Sequence, residues 1–406
     1  MLDTTQSTAR SDERFATAGT SRGVRLATRL ANAAPALIEA LTEIATCRSA
    51  HDEVARSVAA LAGSDWELAR NRPRRLQRLA VFVPSNNVLY SYVLFGLIPA
   101  LYCDEVVLRP SSRVHEATTR LHELLDGVLD GVGGAGRAVL SDANQRAFTR
   151  ACRDADAVVF TGQFENSLAI AAALGPHTRV LRFGSGPNPI VVGEQADLDA
   201  VVRDVIAARL YNAGQDCLCP DAIFVHEQLR EPFVRALADG LATIPIGDRR
   251  DPETLVAPLV YGDAVEGAQA FLADHAEHVV HGGRVELERS IVEPTIVVRP
   301  FEPAFHPPEL FSPIFCVMPY RSCAQLDAWL HSPTEMERGM YLSVYGETSF
   351  TGHTVGTAVV CRAHTTFDTE DGNLPFGGFG ERASSVLCDG RSIARPLLVS
   401  NEVRER

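Results

Sequence analysis

The succession of apolar runs predicts an α/β protein of two units, each built on a mainly parallel sheet flanked by helices. Between residues 79 and 183, short β-branched runs alternate with stretches of helical period, and the joins are short. Polar residues and glycines collect just after the strand ends, where open α/β sheets bind ligands. At 406 residues the chain exceeds what one hydrophobic core usually fills, so a second unit is expected.

Residues 1–22 are rich in Thr, Ser and Gly and read as a disordered start. Leu26, Leu30, Ala34, Leu37, Ile38, Leu41 and Ile44 recur at helical spacing, so one helix is predicted over 24–61. The arginines at 70, 72, 74, 75 and 78 mark 63–78 as a solvated linker. Strands follow at 79–83, 105–108, 138–140, 157–160 and 178–183, with helices at 88–101, 114–129 and 165–174. The cofactor-type unit is therefore placed at 79–195. A second unit, 196–355, holds helices at 197–210, 232–242 and 262–276 and strands at 222–226, 279–280, 296–298, 315–319 and 343–345. The tail, 356–406, carries a strand at 358–361 and the Gly-rich tract Asn373-Leu374-Pro375-Phe376-Gly377-Gly378-Phe379-Gly380. An apolar pair inside that tract suggests a loop closing over something.

Composition narrows the function. The net charge of −13 disfavours a nucleic-acid surface. All 38 basic residues other than histidine are Arg, so Schiff-base catalysis through lysine is excluded and every permanent cation is a guanidinium. Nine scattered cysteines, an odd number, read as reduced thiols of a cytoplasmic protein. Cys217 and Cys219 stand two apart, but no second ligand pair is near in sequence, so no metal is expected. No segment has signal or membrane-span length. Thr161-Gly162-Gln163 before a helix offers free N–H groups to a phosphate, a short and weak motif. Gly184-Ser185-Gly186-Pro187 reads equally well as a turn with no ligand.

Cys217 stands between a predicted helix and a predicted strand, in Tyr211-Asn212-Ala213-Gly214-Gln215-Asp216-Cys217. A thiol fixed between two ordered elements can be aimed at a carbonyl or thioester. This segment, with Val83-Pro84-Ser85-Asn86, Val107-Leu108-Arg109-Pro110-Ser111-Ser112, Phe160-Thr161-Gly162, Asn188-Pro189, Pro294-Thr295, Glu309-Leu310-Phe311-Ser312-Pro313 and Pro375-Phe376-Gly377-Gly378, resembles the aldehyde dehydrogenase superfamily. The segments come in family order and span about residues 72 to 385. The resemblance implies a Rossmann-like cofactor domain, an α/β catalytic domain holding the cysteine, and a C-terminal segment that returns to the cofactor domain. Cys217 matches the nucleophile and Asn86 the oxyanion-hole amide. Arg109 falls where the family has a lysine reaching the cofactor ribose. Gly162 matches the glycine near the pyrophosphate, with Gln163 in place of a serine. Glu309 matches the acceptor for the nicotinamide ribose and Phe311 the aromatic beside that ring. Ser112 replaces an acidic residue near the adenosine ribose, and with Arg113 it tips the expected cofactor from NAD toward NADP. A homodimer is the expected assembly.

One departure decides the expected chemistry. The family's general-base glutamate falls on Arg182, or on Phe183 if the match slips by one, and neither side chain can act as a base. The general base serves water attack on an acyl-enzyme. The leading expectation is therefore NAD(P)H-dependent reduction of an acyl-CoA or acyl-carrier-protein thioester, or its reverse. Hydrolytic aldehyde oxidation with another base, for which Asp216 and His364 stand near the motifs, and a non-catalytic scaffold are the alternatives. Arg182 is read either as a cation that lowers the thiol pKa or as half of a structural ion pair.

Overall fold

A computed structural model describes residues 21–347 and 349–405. Most of the expected disorder over 1–22 lies outside these residues, but Ser21 and Arg22 already form a helix start. Ser21 Oγ caps the helix Arg22–Leu41 by accepting the Val24 N–H. The single helix expected over 24–61 is two. Thr42 ends the first, and Thr46 caps a second, Cys47–Asn71, whose Ser49 N–H it accepts. Two threonines four positions apart in sequence thus break a pattern whose apolar spacing continues across them. That second helix also absorbs much of the expected linker at 63–78, which shrinks to residues 72–75. Arg74, Arg75 and Arg78 ion-pair with Asp156, Asp104 and Glu105.

Five strands follow in the first unit: β1 Leu76–Phe82, β2 Cys103–Arg109, β3 Arg137–Leu140, β4 Ala157–Thr161 and β5 Val180–Phe183. Eight contribute to a second sheet: β6 Ile190–Val192, β7 Ile223–His226, β8 Val279–His281, then, after a short antiparallel pair β9 Val285–Glu286 and β10 Ile291–Val292, β11 Thr295–Val298, β12 Ile314–Tyr320, β13 Tyr341–Tyr345, β14 Thr354–Val355 and β15 Ala358–Arg362. The tail adds β16 Ser384–Cys388 and β17 Arg391–Ala394. The first sheet runs β17-β16-β5-β4-β1-β2-β3, parallel except for the last two strands of the chain. The second runs β14-β15-β13-β6-β7-β12-β11-β8, parallel except at its two edges.

Sheet membership moves both boundaries expected from the sequence. β6, assigned to the unit ending at 195, belongs to the second sheet, so the chain crosses over within 184–189. β14 and β15 also belong to the second sheet, so the return to the first lies beyond 362 rather than at 355. The reason is length: three apolar residues framed by Pro189 and Gly193 carry too little pattern to register as a strand. Gly184 opens the crossover. A Cβ there would sit 2.1 Å from the Arg382 carbonyl, so backbone approach requires glycine.

Both faces of the first sheet are covered. Leu76, Leu79, Val81, Leu181 and Phe183 pack into one core with the N-terminal helices, while Ala80, Phe82, Val158, Phe160 and Val180 fill the opposite one. Successive residues of a strand face opposite ways. Arg182 and Phe183 therefore cannot both reach the same cavity.

Candidate active site

At the carboxyl ends of β1, β2, β4 and β5, facing the second unit, lies a cavity of about 630 Å3. Cys217, Asn86, Arg109, Ser112, Arg113, Gly162, Gln163, Glu309 and Phe311, the residues that the resemblance assigns to nucleophile, oxyanion hole and cofactor, line it.

Cys217 is aimed by a strained turn. Asn212 and Ala213 both take left-handed φ, at 48° and 57°, and each such residue costs about 1–3 kcal/mol. The neighbouring helix holds the turn: Asn212 Oδ1 accepts the Thr46 N–H at 3.2 Å, and its own N–H donates to Ser49 Oγ at 3.0 Å. Beyond the turn, Asn188 Nδ2 donates to the Cys217 carbonyl at 2.7 Å. Arg209, 1% exposed, donates to the carbonyls of Ser312 and Pro220 and to Asp221 at 2.8 Å. It thereby ties the cysteine loop to the loop carrying Glu309 and Phe311.

The thiol titrates well above its usual range. Burial is the main cause, with Asp216, Cys219 and Glu309 adding to it and Arg56 opposing. The free site therefore holds Cys217 protonated at neutral pH. Its thiol hydrogen-bonds Asp216, whose carboxyl burial pushes upward against the pull of Arg56. Asp216 is fixed in turn by the Leu218 N–H at 2.8 Å and by Asn87 Nδ2.

A charged cluster backs the far wall, with no counterpart among the residues read from the sequence. Arg56 ion-pairs with Asp52 at 2.9 Å and with Glu370 at 3.6 Å. It donates to the Tyr211 hydroxyl and to Asn87 Oδ1 and lies 4.7 Å from the Tyr90 ring centroid. Arg56 was hidden in a helix whose Asp52/Arg56 spacing reads as an ordinary surface pair, and Glu370 in a polar loop.

Arg182 does not approach the thiol. It faces away from the cavity, ion-paired with Glu381 at 3.1 Å, bonded to Ser392 and lying over the Phe164 ring. Its reading as a structural ion pair holds, and the reading as a thiol activator is corrected. Phe183 reaches the cavity instead, its ring 4.9 Å from that of Phe95. His364, hydrogen-bonded to Thr369 and the Thr365 carbonyl, lies outside the cavity lining. Arg113 is not a free cation, because Asp263 pairs with it at 2.8 Å.

On the cofactor side the residues present fit a dinucleotide. The helix Phe164–Leu174 starts at the cavity with no side-chain cap, leaving N–H donors for a diphosphate. Arg109 supplies a cation that makes no ion pair among the described residues. Glu309, to which Ser185 Oγ donates, offers a carboxylate for ribose hydroxyls.

A thiol aimed into a nucleotide-sized cavity between two α/β units is a layout suited to covalent chemistry beside a bound cofactor. Comparison with known proteins agrees. Residues 25–385 match the aldehyde dehydrogenase family. The chain belongs to that family. It is 28% identical over 247 residues to glutarate-semialdehyde dehydrogenase of Pseudomonas putida, covering 58% of this chain and 50% of that one. It is 27% identical over 353 residues to succinate-semialdehyde dehydrogenase (NADP(+)) 1 of Mycobacterium tuberculosis, covering 79% and 70%. A putative aldehyde dehydrogenase family 7 member A1 homolog of Dictyostelium discoideum matches at 30% over 195 residues, 46% of this chain and 38% of that one. The chain thus spans half or less of the length of several curated relatives it matches. Among solved structures, succinic semialdehyde dehydrogenase of Streptococcus pyogenes with NADP+ superposes at TM-score 0.78 and 17% identity, covering 94% and 89%. That likeness concerns the fold. No helix among the described residues is long and apolar enough to cross a membrane.

Proposed function

We propose that this chain oxidises an aldehyde to a carboxylic acid with NAD or NADP, through a thioester on Cys217. The observation that carries this reading is the cavity shared by Cys217, Asn86, Glu309, Arg109 and the open helix end at Gln163. Family membership and the aldehyde and semialdehyde relatives support oxidation over the thioester reduction first expected. Cys217 Sγ bonds to the carbonyl carbon as its proton passes to Asp216, made more basic than an ordinary carboxylate by burial. The Asn86 amide and the Cys217 N–H stabilise the oxyanion. When bound, the dinucleotide supplies the two-electron acceptor that turns the hemithioacetal into a thioester. Water then releases the acid and restores the thiol, and the proton taken by Asp216 passes to solvent as the one proton that the oxidation sets free.

The relatives' semialdehydes, as named, pair an aldehyde with an acid. Here Arg56, a cation on the far wall, is already engaged by Asp52 and Glu370. An uncharged aldehyde therefore suits this cavity better than one bearing a carboxylate. A second reading, exchange between an aldehyde and a thioester of CoA or a carrier protein, is favoured by the lack of a carboxylate at 182 and 183.

Absorbance of the reduced cofactor, followed with a series of aldehydes and with and without CoA, tests both. Turnover that is independent of CoA, faster with uncharged aldehydes and abolished by Cys217→Ala, is expected. Strict dependence on CoA would establish the second reading instead. Full activity in Cys217→Ala would end both.

A further inference from the structure

If the thioester on Cys217 is hydrolysed, some group must take a proton from water. Strand β5 offers none. Arg182 points to the opposite face, and Phe183 packs against Phe95 with the rings tilted. Each carboxylate lining the cavity can be weighed in turn. Asp263 is committed to Arg113 near its exposed rim. Glu67 accepts from Ser400 Oγ at 2.6 Å and from Asn373 Nδ2 at 2.9 Å, so both oxygens are engaged. Glu309 accepts from Ser185 and stands on the cofactor side. Glu370 remains.

Glu370 enters the cavity from the tail, just after the helical turn Thr366–Thr369, and its side chain is 5% exposed. The Tyr90 hydroxyl donates to Oε1. Oε2 faces Arg56 Nη1 at 3.6 Å, beyond hydrogen-bond range, and so keeps a lone pair for water. Two charged or polar partners on different helices thus fix the carboxylate while leaving one oxygen available.

We propose that Glu370 is the general base that activates the deacylating water at Cys217, replacing a carboxylate on β5; this rests on the hydrolytic reading above. The water oxygen bonds to the acyl carbon as its proton passes to Glu370. The C–S bond then breaks, sulfur leaves with the electron pair, and the proton held by Glu370 returns to it. The carboxylic acid departs and ionises in solvent. Oxidation is complete before this step, so it consumes no oxidant. Burial holds the Glu370 pKa above the usual carboxylate range, which strengthens the base. The charged and titratable groups that face it are Arg56, which opposes the rise, Tyr90, Asp371, Asp216 and Tyr341.

p-Nitrophenyl acetate tests this without cofactor, because it acylates a reactive thiol and reports each acylation as nitrophenolate. Wild type should turn over continuously. Glu370→Gln should release about one equivalent per site and then turn over more slowly by about 10²–10⁴-fold. Its stalled form should carry one acetyl group on Cys217 by mass spectrometry. Hydroxylamine, which needs no base, should restore release. The wild-type deacylation rate should rise with pH through a pKa above the ordinary carboxylate range, and Tyr90→Phe should shift that limb while keeping the burst. An unchanged steady rate in Glu370→Gln overturns the assignment, as does a folded Glu370→Gln that loses burst and turnover together. If Glu370→Gln does not fold, an unshifted pH limb in Tyr90→Phe overturns it. Absence of any reduced cofactor from wild type with aldehydes, alongside an intact ester burst, would overturn the oxidation reading alone. Absence of both would overturn the two together.

Discussion

Glu53 gives a stability prediction whose size follows from the structure. It lies on the helix Cys47–Asn71, is 3% exposed, and accepts the Tyr90 N–H at 3.0 Å. Burial pushes its pKa up from the ordinary 4.5 to about 7, against the pull of that N–H and of Arg56. Between these values the folded chain holds a proton that the unfolded chain has released. Stability conferred by the neutral acid is therefore present below pH 4.5, falls as pH rises toward 7, and is flat above it. At about 1.4 kcal/mol per pH unit, the loss across that window is ~3 kcal/mol. Glu53→Gln keeps a carbonyl oxygen for the Tyr90 N–H and never ionises. Urea denaturation at pH 5, 6, 7 and 8 should show the variant gaining on wild type as pH rises, by up to ~3 kcal/mol at pH 8. A difference between the two proteins that stays constant from pH 5 to pH 8 would refute the argument, because it would show that Glu53 does not change its protonation on folding in this range.

Arg209→Met should destabilise by about 3–5 kcal/mol in urea, because it strips the buried Asp221 of its partner and frees two backbone carbonyls. Asp263→Asn should release Arg113 and lower the KM for NADP relative to NAD in steady-state kinetics. Arg182→Met should lower the melting midpoint through loss of Glu381 and the Phe164 contact, yet leave kcat of the folded protein unchanged. A fall in kcat there would mean that Arg182 reaches the chemistry after all.

The residues that meet at the cavity were legible because they belong to local patterns. Asn86 and Gly162 stand in short motifs just after the carboxyl ends of β1 and β4, where an open α/β sheet binds ligands, and Cys217 and Glu309 stand in short motifs in the loops that lead into β7 and β12. Strands with long β-branched runs, such as β2, β4 and β12, were likewise visible. β6 was missed because three residues carry no periodicity, and β16 and β17 because serines interrupt their short apolar runs, at 384, 385 and 392. The break between the first two helices depends on two threonine caps that leave the apolar spacing intact. Arg56, Tyr90 and Glu370 were invisible for a different reason. Their importance arises from contacts across 34 to 314 positions of sequence, between segments that look individually like an exposed helix face, an apolar helix and a polar loop.

The lost glutamate and the buried charge cluster are best read as one exchange. At the end of β5 the cavity wall is aromatic: Phe183 meets Phe95 at 4.9 Å and Phe376 at 6.4 Å. On the wall toward the N-terminal helices it is charged, with Glu370, Arg56 and Tyr90 linked through Asn87 to Asp216 and so to the thiol. A carboxylate on the β5 wall would face Phe95 and Phe376 and lack a donor, a state that burial strongly disfavours. On the opposite wall a guanidinium and a phenol are in place to hold one. The same swap bears on substrate, because a cation already shared by two carboxylates has little left for an acid on the ligand. If Glu370 proves to be the base, uncharged aldehydes should be preferred for the same structural reason, and Arg56→Met should disturb both properties at once: slower ester deacylation and an altered ranking of aldehydes. Loss of one without the other would show that base position and substrate choice are set independently.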